Sequence, residues 1–148
     1  MSDNRRRIRS MQSLVAGSPV SGTAKHGDIQ REFDEVLLAR RVIKRSRKRL
    51  LQVLHSTRAL DSTLKEFTDL HGCLPNPPSL GSYLYALKDG SCAAIARISA
   101  VERRHYQASI VKPRNEYMHE AGRTPTDDPE VLALLAEMEA CLQRVLSL

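Results

Sequence analysis

Arg114, Asn115 and His119 stand in the run Pro113-Arg114-Asn115-Glu116-Tyr117-Met118-His119, and their side chains suit a phosphodiester. A guanidinium holds a phosphate through two parallel hydrogen bonds, and an imidazole takes or gives a proton at neutral pH. Together these groups supply charge stabilisation and acid–base capacity, and the pattern calls for neither a metal nor a cofactor. The roles that follow are proton transfer for His119, stabilisation of phosphate charge for Arg114, and orientation of His119 or the phosphate for Asn115. Pro113 predicts a helix start that places Arg114 in the first turn, where free backbone N–H groups favour anions. Asn115 and His119, four apart, share a face, whereas Arg114 and His119, five apart, diverge by about 140° on an ideal helix. Convergence therefore relies on the length of Arg114 or on a distorted first turn. The competing reading is structural, with Arg114 paired to Glu116 or Glu120 and His119 packed at a helix end.

A second cluster lies upstream. Residues 40 to 49, RRVIKRSRKR, carry seven basic side chains and no acid. Arg40, Arg41, Lys44, Arg45, Arg47 and Lys48 are the candidate contacts to an RNA backbone, because clustered cations attract phosphate without a sequence code. On a helical wheel most of them fan out opposite Ile43, Leu50 and Leu54. Arg40 and Arg47 instead fall close to the apolar stripe of Ile29, Phe33, Val36 and Leu54, so they are expected at the edge of a packed surface. A solvated basic face is the alternative. The net charge of +6 is unevenly spread. Residues 1 to 58 hold 14 basic and 5 acidic side chains, a balance of +9, and residues 59 to 148 hold 9 and 12, a balance of −3.

The elements that must carry these residues read as helices throughout. Asp28 is placed as an N-cap, and Ile29, Phe33, Val36, Leu37, Ile43, Leu50, Leu51 and Leu54 recur at helical spacing, predicting one long amphipathic helix. Leu60, Leu64, Phe67 and Leu70 continue it to a stop at Gly72, with Asp61 or Ser62 able to cap a fresh start. The prolines of CLPNPPSLG make a loop. A short helix over about 79 to 88, ended by Asp89-Gly90, an Ala-rich helix over about 91 to 111, the motif helix, and a last helix opened by Asp128-Pro129-Glu130 complete the chain. No stretch alternates as a strand would. The fold class is therefore all-α, an antiparallel helical bundle with two or more long helices. With 148 residues, 41% of them hydrophobic, the chain fits one domain, assigned to residues 26 to 148. Residues 1 to 25, Arg-rich and then Gly/Ser/Pro-rich, read as a flexible basic arm.

The motif R-N-x-x-x-H resembles the HEPN (higher eukaryotes and prokaryotes nucleotide-binding) superfamily, whose active members carry Arg, often followed by a polar residue, and then His after four to six residues. Arg followed by His at such offsets arises readily by chance, and Arg49 to His55 is a second loose match; adding Asn beside Arg makes a chance match rare. The resemblance spans residues 28 to 148, although its specific part is the six-residue motif. It implies an all-α bundle and a metal-independent endoribonuclease in which two motifs face each other across a homodimer. Each copy would contribute one imidazole to an attack by the ribose 2′-hydroxyl. It also implies a role as a toxin or antiviral defence effector, with an antitoxin or regulatory protein as a further partner. Where HEPN toxins often carry a tyrosine two residues after the His, this chain has Ala121, which speaks against adenylylation there. The alternative is a non-catalytic helical dimerisation module that binds nucleic acid or a protein through its basic helix.

Several classes are set aside. No apolar run is long enough for a membrane span, and MSDNRRRIRS lacks the core of a secretory signal, so a cytoplasmic protein with no membrane partner is expected. Cys73, Cys92 and Cys141, odd in number and widely spaced, are expected as reduced, mostly buried thiols. A zinc site at His71, Cys73 and Cys92 matches no common spacing. Tyr83, Tyr85, Tyr106 and Tyr117 are read as packing residues, Tyr117 being the one closest to the motif. No Gly-rich phosphate loop is present.

Overall fold

Helix signals in the sequence are answered by a computed structural model that describes residues 2–148, all-helical and without a strand among those residues. Seven α-helices follow in order: α1 (Asp3–Ala16), α2 (His26–Leu38), α3 (Arg45–Leu70), α4 (Leu80–Asp89), α5 (Ala100–Tyr106), α6 (Lys112–His119) and α7 (Asp128–Val145). They form a helical bundle in which α2 lies along α3, α1 along α7, and α3 also contacts α4, α6 and α7. One apolar cluster joins them, with Ile8, Phe33, Leu64, Leu135 and Leu142 fully shut off from solvent. Ser56, Thr63 and Thr68 are buried along α3, and each hydroxyl donates to the carbonyl four residues back. That bond is how a helix hides a hydroxyl at little cost.

The first departure from expectation is at the N-terminus. Residues 3–16 are not an arm but a packed helix, capped by the Ser2 hydroxyl and burying Ile8, Met11 and Val15. Those three residues recur at i, i+3 and i+7, a helical stripe that the surrounding arginines obscure in composition. Arg7 of this helix bonds Glu139 of α7 at 3.2 Å.

The second departure is the break between α2 and α3. A 3₁₀ turn over Ala39–Arg41 and an extended stretch through Val42 and Lys44 interrupt the expected long helix. No break occurs at Asp61 or Ser62, which lie inside the 26-residue α3.

The third departure concerns the region before the motif. Residues 91–99 are irregular, and α5 begins at Ala100, where Ser99 and Glu102 form a reciprocal capping box. From there the chain stays helical to His119 through a π turn over Gln107–Val111. Pro113 is thus inside the helix rather than at its start. A proline within a helix removes a donor and collides with the carbonyl four residues back. The wider π turn absorbs this conflict, as the Lys112 N–H reaches the Gln107 carbonyl five residues back. Gly81 of α4 lies against that turn, and a Cβ there would meet the Gln107 side-chain oxygen at 3.3 Å.

Other signals hold. Ser79 caps α4 in a second capping box, and Gly90 ends it in the left-handed region at φ 88°. The N-cap of α7 is Asp127, one residue earlier than expected, with Pro129 in the first turn. Likewise α2 begins at His26, which puts Asp28 in its first turn.

Cys73 and Cys92 are joined in a disulfide, against the expectation of reduced thiols, while Cys141 is free and buried. The spacing of 19 residues hid the pair. It equals the length of the proline loop plus α4, and the chain returns to its starting level, bringing the two Cα atoms to 5.0 Å. Closing a loop of this length restricts the unfolded chain by about 3 kcal/mol. Reduction, or the double substitution Cys73→Ser/Cys92→Ser, is therefore expected to lower unfolding free energy by about 3 kcal/mol in urea titrations, with the helical circular dichroism of the native state retained.

Candidate functional site

Because α5, the π turn and α6 run on as one helical rod, one side of that rod carries a concave surface lined by Arg104, Gln107, Lys112, Asn115, Glu116 and His119, among others. Two of the three motif side chains predicted from sequence, Asn115 and His119, come together here. Arg114 does not line this surface. Its half-buried side chain turns toward α3, the Nη1 atom donates to the Asn115 carbonyl oxygen at 2.9 Å, and Nε is shut off from solvent with no partner. The angular argument thus holds, since five residues along an ideal helix separate the two side chains by about 140°. The expected convergence in one protomer does not occur. Nor does Arg114 sit in a first turn with free N–H groups, because the helix continues through Val111 and Lys112 in α conformation.

The electrostatics around Arg114 are those of a helix–helix contact. Burial pushes the Asp61 carboxyl of α3 above the ordinary carboxylate range, and the charges of Arg114 and then Lys65 oppose that shift. Arg114 also makes no ion pair with Glu116 or Glu120. Glu116 instead holds Arg123 at 3.0 Å. Tyr117 is accounted for by structure: its hydroxyl donates to the Glu130 carboxylate, tying α6 to the start of α7. Burial first, and then that bond to a carboxylate, push the Tyr117 hydroxyl far above its usual range. Glu130 is held below its usual range by the same bond and by the Thr126 N–H.

The histidines separate cleanly. His26 contacts the Gln30 amide at 3.0 Å, His55 the Glu32 carboxylate at 2.7 Å, and His105 the Glu137 carboxylate at 2.6 Å. His71 ends α3 with its ring on Phe67. His119, the last residue of α6, is exposed and has no hydrogen bond or ring contact among the described residues. The second loose motif, Arg49 to His55, is consumed by structure, for Arg49 bonds Asp128 at 2.9 Å and the Thr126 carbonyl at 3.0 Å.

Sequence reasoning missed Arg104 and Lys112. Both are exposed, neither forms an ion pair among the described residues, and both share the surface with His119. Their signal was present only as spacing across Pro113, and a helix start assigned there severed it. This surface can offer two cations, an amide and an imidazole to a phosphate group, beside two carboxylates, Glu116 held by Arg123 and Glu120 without an ion pair among the described residues. It holds no cluster of metal-ligating side chains, and none occurs elsewhere among the described residues.

The basic tract is a corner and not a helix face. Arg40, Arg41, Lys44, Arg45 and Arg47 are exposed, and none of them, nor Lys48, forms an ion pair among the described residues. Arg40 lies beside Val36 of the apolar stripe, as expected, whereas Arg47 is beyond the break at Ala39–Arg41, which resets the wheel on which its expectation rested. Arg49 takes that place, its side chain only 15% exposed. Ile43, expected inside, is 97% exposed at the tip of the corner. No helix among the described residues is long and apolar enough to cross a membrane. Compared with family models, curated proteins and solved structures, the chain matches none.

Proposed function

We propose that the chain is a HEPN-like, metal-independent endoribonuclease that works as a homodimer. The observation that carries this reading is the exposed, unpartnered imidazole of His119 on a surface that also presents Asn115, Lys112 and Arg104. An imidazole free of structural duty beside two unpaired cations matches what transesterification at a phosphodiester needs. His119 takes the proton of the ribose 2′-hydroxyl as its oxygen attacks phosphorus. The P–O5′ bond breaks, and the leaving oxygen takes a proton from the His119 of a second copy, leaving a 2′,3′-cyclic phosphate. Lys112 and Arg104 meet the charge that grows on the phosphoryl oxygens. Arg114, turned toward Asp61, acts on this surface only through Asn115, whose carbonyl oxygen it holds. A two-fold arrangement supplies the second imidazole that one surface lacks.

The reading extends to a cytoplasmic protein, although the Cys73–Cys92 disulfide is of a kind rare in that compartment, where thiols are mostly kept reduced. The reading extends to a toxin or defence effector restrained by an antitoxin or regulatory protein. It is tested by incubating the protein with end-labelled tRNA and single-stranded RNA in EDTA while its mass is measured by light scattering. Cyclic-phosphate ends produced by a dimer are expected. Absence of cleavage, or cleavage that EDTA abolishes, overturns the reading.

The second reading, a nucleic-acid binding module, is favoured by one observation, the unpaired cations of the corner between α2 and α3. On that reading, neutralising Arg41, Lys44 and Arg45 weakens RNA binding and flattens its salt dependence by roughly one unit per lost phosphate contact.

A further inference from the structure

Apart from the His119 surface, a cleft of about 330 Å³ opens between the start of α1, the α2–α3 corner and the start of α7. Its cationic side is formed by Arg5, Arg40 and Lys48, none of which has an ion-pair partner among the described residues. Its apolar side is formed by Ile8, Val36 and Leu132. Also lining it are Gln52 of α3, 5% exposed, whose side-chain amide makes no hydrogen bond among the described residues and stays open to the cleft, and Asn4 of α1, whose side-chain oxygen is shut off from solvent with no partner. Two acids also border the cleft, but Asp128 is bonded to Arg49 at 2.9 Å and Asp3 to Arg6 at 3.4 Å.

A buried polar oxygen without a partner, as the Asn4 side-chain oxygen is, is uncommon in a folded protein, and beside the open Gln52 amide it is accounted for by something that is to bind in the cleft. The walls define what that is. Three unpaired cations beside the N–H groups that open α1 select an anion with several acceptor oxygens, as a phosphate has. The apolar side selects a flat or hydrocarbon body. An acyl chain would cover the Gln52 amide and leave it unpaired, whereas a nucleobase edge offers a donor and an acceptor side by side, the pattern that a glutamine amide matches with two hydrogen bonds. The volume lies at the small end of ligand sites, enough for one such unit.

We infer that this cleft binds a single 5′-phosphorylated nucleotide, with Gln52 on the base edge and Arg5, Arg40 and Lys48 around the phosphate. The nucleotide is either free or the first residue of an RNA strand. The site shares no lining residue with the His119 surface. Its test reads binding alone, so it stands or falls apart from ribonuclease activity.

Calorimetric titration of the full chain uses the four nucleoside 5′-monophosphates, the corresponding nucleosides, inorganic phosphate, and a tetranucleotide with and without a 5′-phosphate. At least one monophosphate, or the 5′-phosphorylated tetranucleotide, is expected to bind about tenfold more tightly than the same molecule lacking phosphate and than inorganic phosphate. Saturation by a monophosphate assigns the site to free nucleotides, and saturation by the tetranucleotide alone assigns it to strand ends. Gln52→Met, close in volume and lacking the amide, and Arg40→Ala, on the surface and therefore safe for folding, are each expected to weaken binding about tenfold. No binding, binding that ignores the phosphate, binding matched by inorganic phosphate, or binding unchanged in either folded variant overturns the inference.

Discussion

On the ribonuclease reading, His119→Ala is expected to reduce RNA cleavage by at least about 10³-fold while leaving the thermal midpoint unchanged. The size follows from the role: a homodimer of the variant lacks both the imidazole that takes a proton and the one that gives it, and a single acid or base contributes roughly 10² to 10⁴ in rate. The specificity follows from the structure. His119 is exposed at the last position of α6 and makes no side-chain hydrogen bond, ion pair or ring contact among the described residues, so its removal leaves no orphaned partner. His55→Ala and His105→Ala are the proper controls, since both rings are held by carboxylates and belong to the scaffold. Lys112→Ala is expected to fall between, at about a hundredfold loss, as removing one charge-stabilising donor does. Initial rates on an end-labelled RNA under single-turnover conditions decide the matter. Cleavage by His119→Ala at the parent rate would remove the imidazole from the mechanism, and with it the ribonuclease reading.

Ile8→Ala is expected to cost about 3 kcal/mol of unfolding free energy, a fall of roughly 10 °C in the thermal midpoint. Ile8 is completely buried on α1, and truncating it empties a site enclosed by the helices around it. Removal of residues 2–17 takes Met11 and Val15 as well and strips α7 of the helix that covers it, which would leave a chain with little net stability. Were this segment the mobile basic arm that its composition suggests, both changes would be neutral. Urea unfolding of the point variant, with the slope unchanged, measures the difference directly.

What was legible in the sequence was whatever depends on short-range pattern. The apolar spacing of α2, the long reach of α3 to Gly72, the serine that starts α4 and the glycine that stops it, and the acid-proline start of α7 all rest on neighbours within four residues, and all are present. The all-α class followed from the same periodicity. What failed depended on contacts between distant residues or on two signals competing at one place. The stripe Ile8, Met11 and Val15 is periodic but short, and it is packing on α2 and, far along the chain, on α7 that gives it a reason to fold. The disulfide needed the fold of the proline loop before its cysteines could be neighbours. Pro113 was the sharpest conflict. As a helix opener it predicted an anion site at Arg114, and as a residue inside a helix it produced the π turn that joins Arg104 and Lys112 to the motif surface. Arg47 was misplaced because a helical wheel presumes one axis and the chain changes direction before it, whereas Arg40, still on the axis of α2, lies beside Val36 as expected.

The pairing of α1 with α7 also bears on how the molecule is made. Arg7 and Glu139 are 132 residues apart, and although α1 can pack on α2 early, the part of it that faces α7 is covered only once α7 exists. During synthesis that part of the first helix waits while the intervening helices emerge, at the usual pace for about ten seconds. Joining the two ends is among the last contacts that the chain can make, and until then the α7-facing side of α1 is the kind of exposed apolar segment that chaperones recognise.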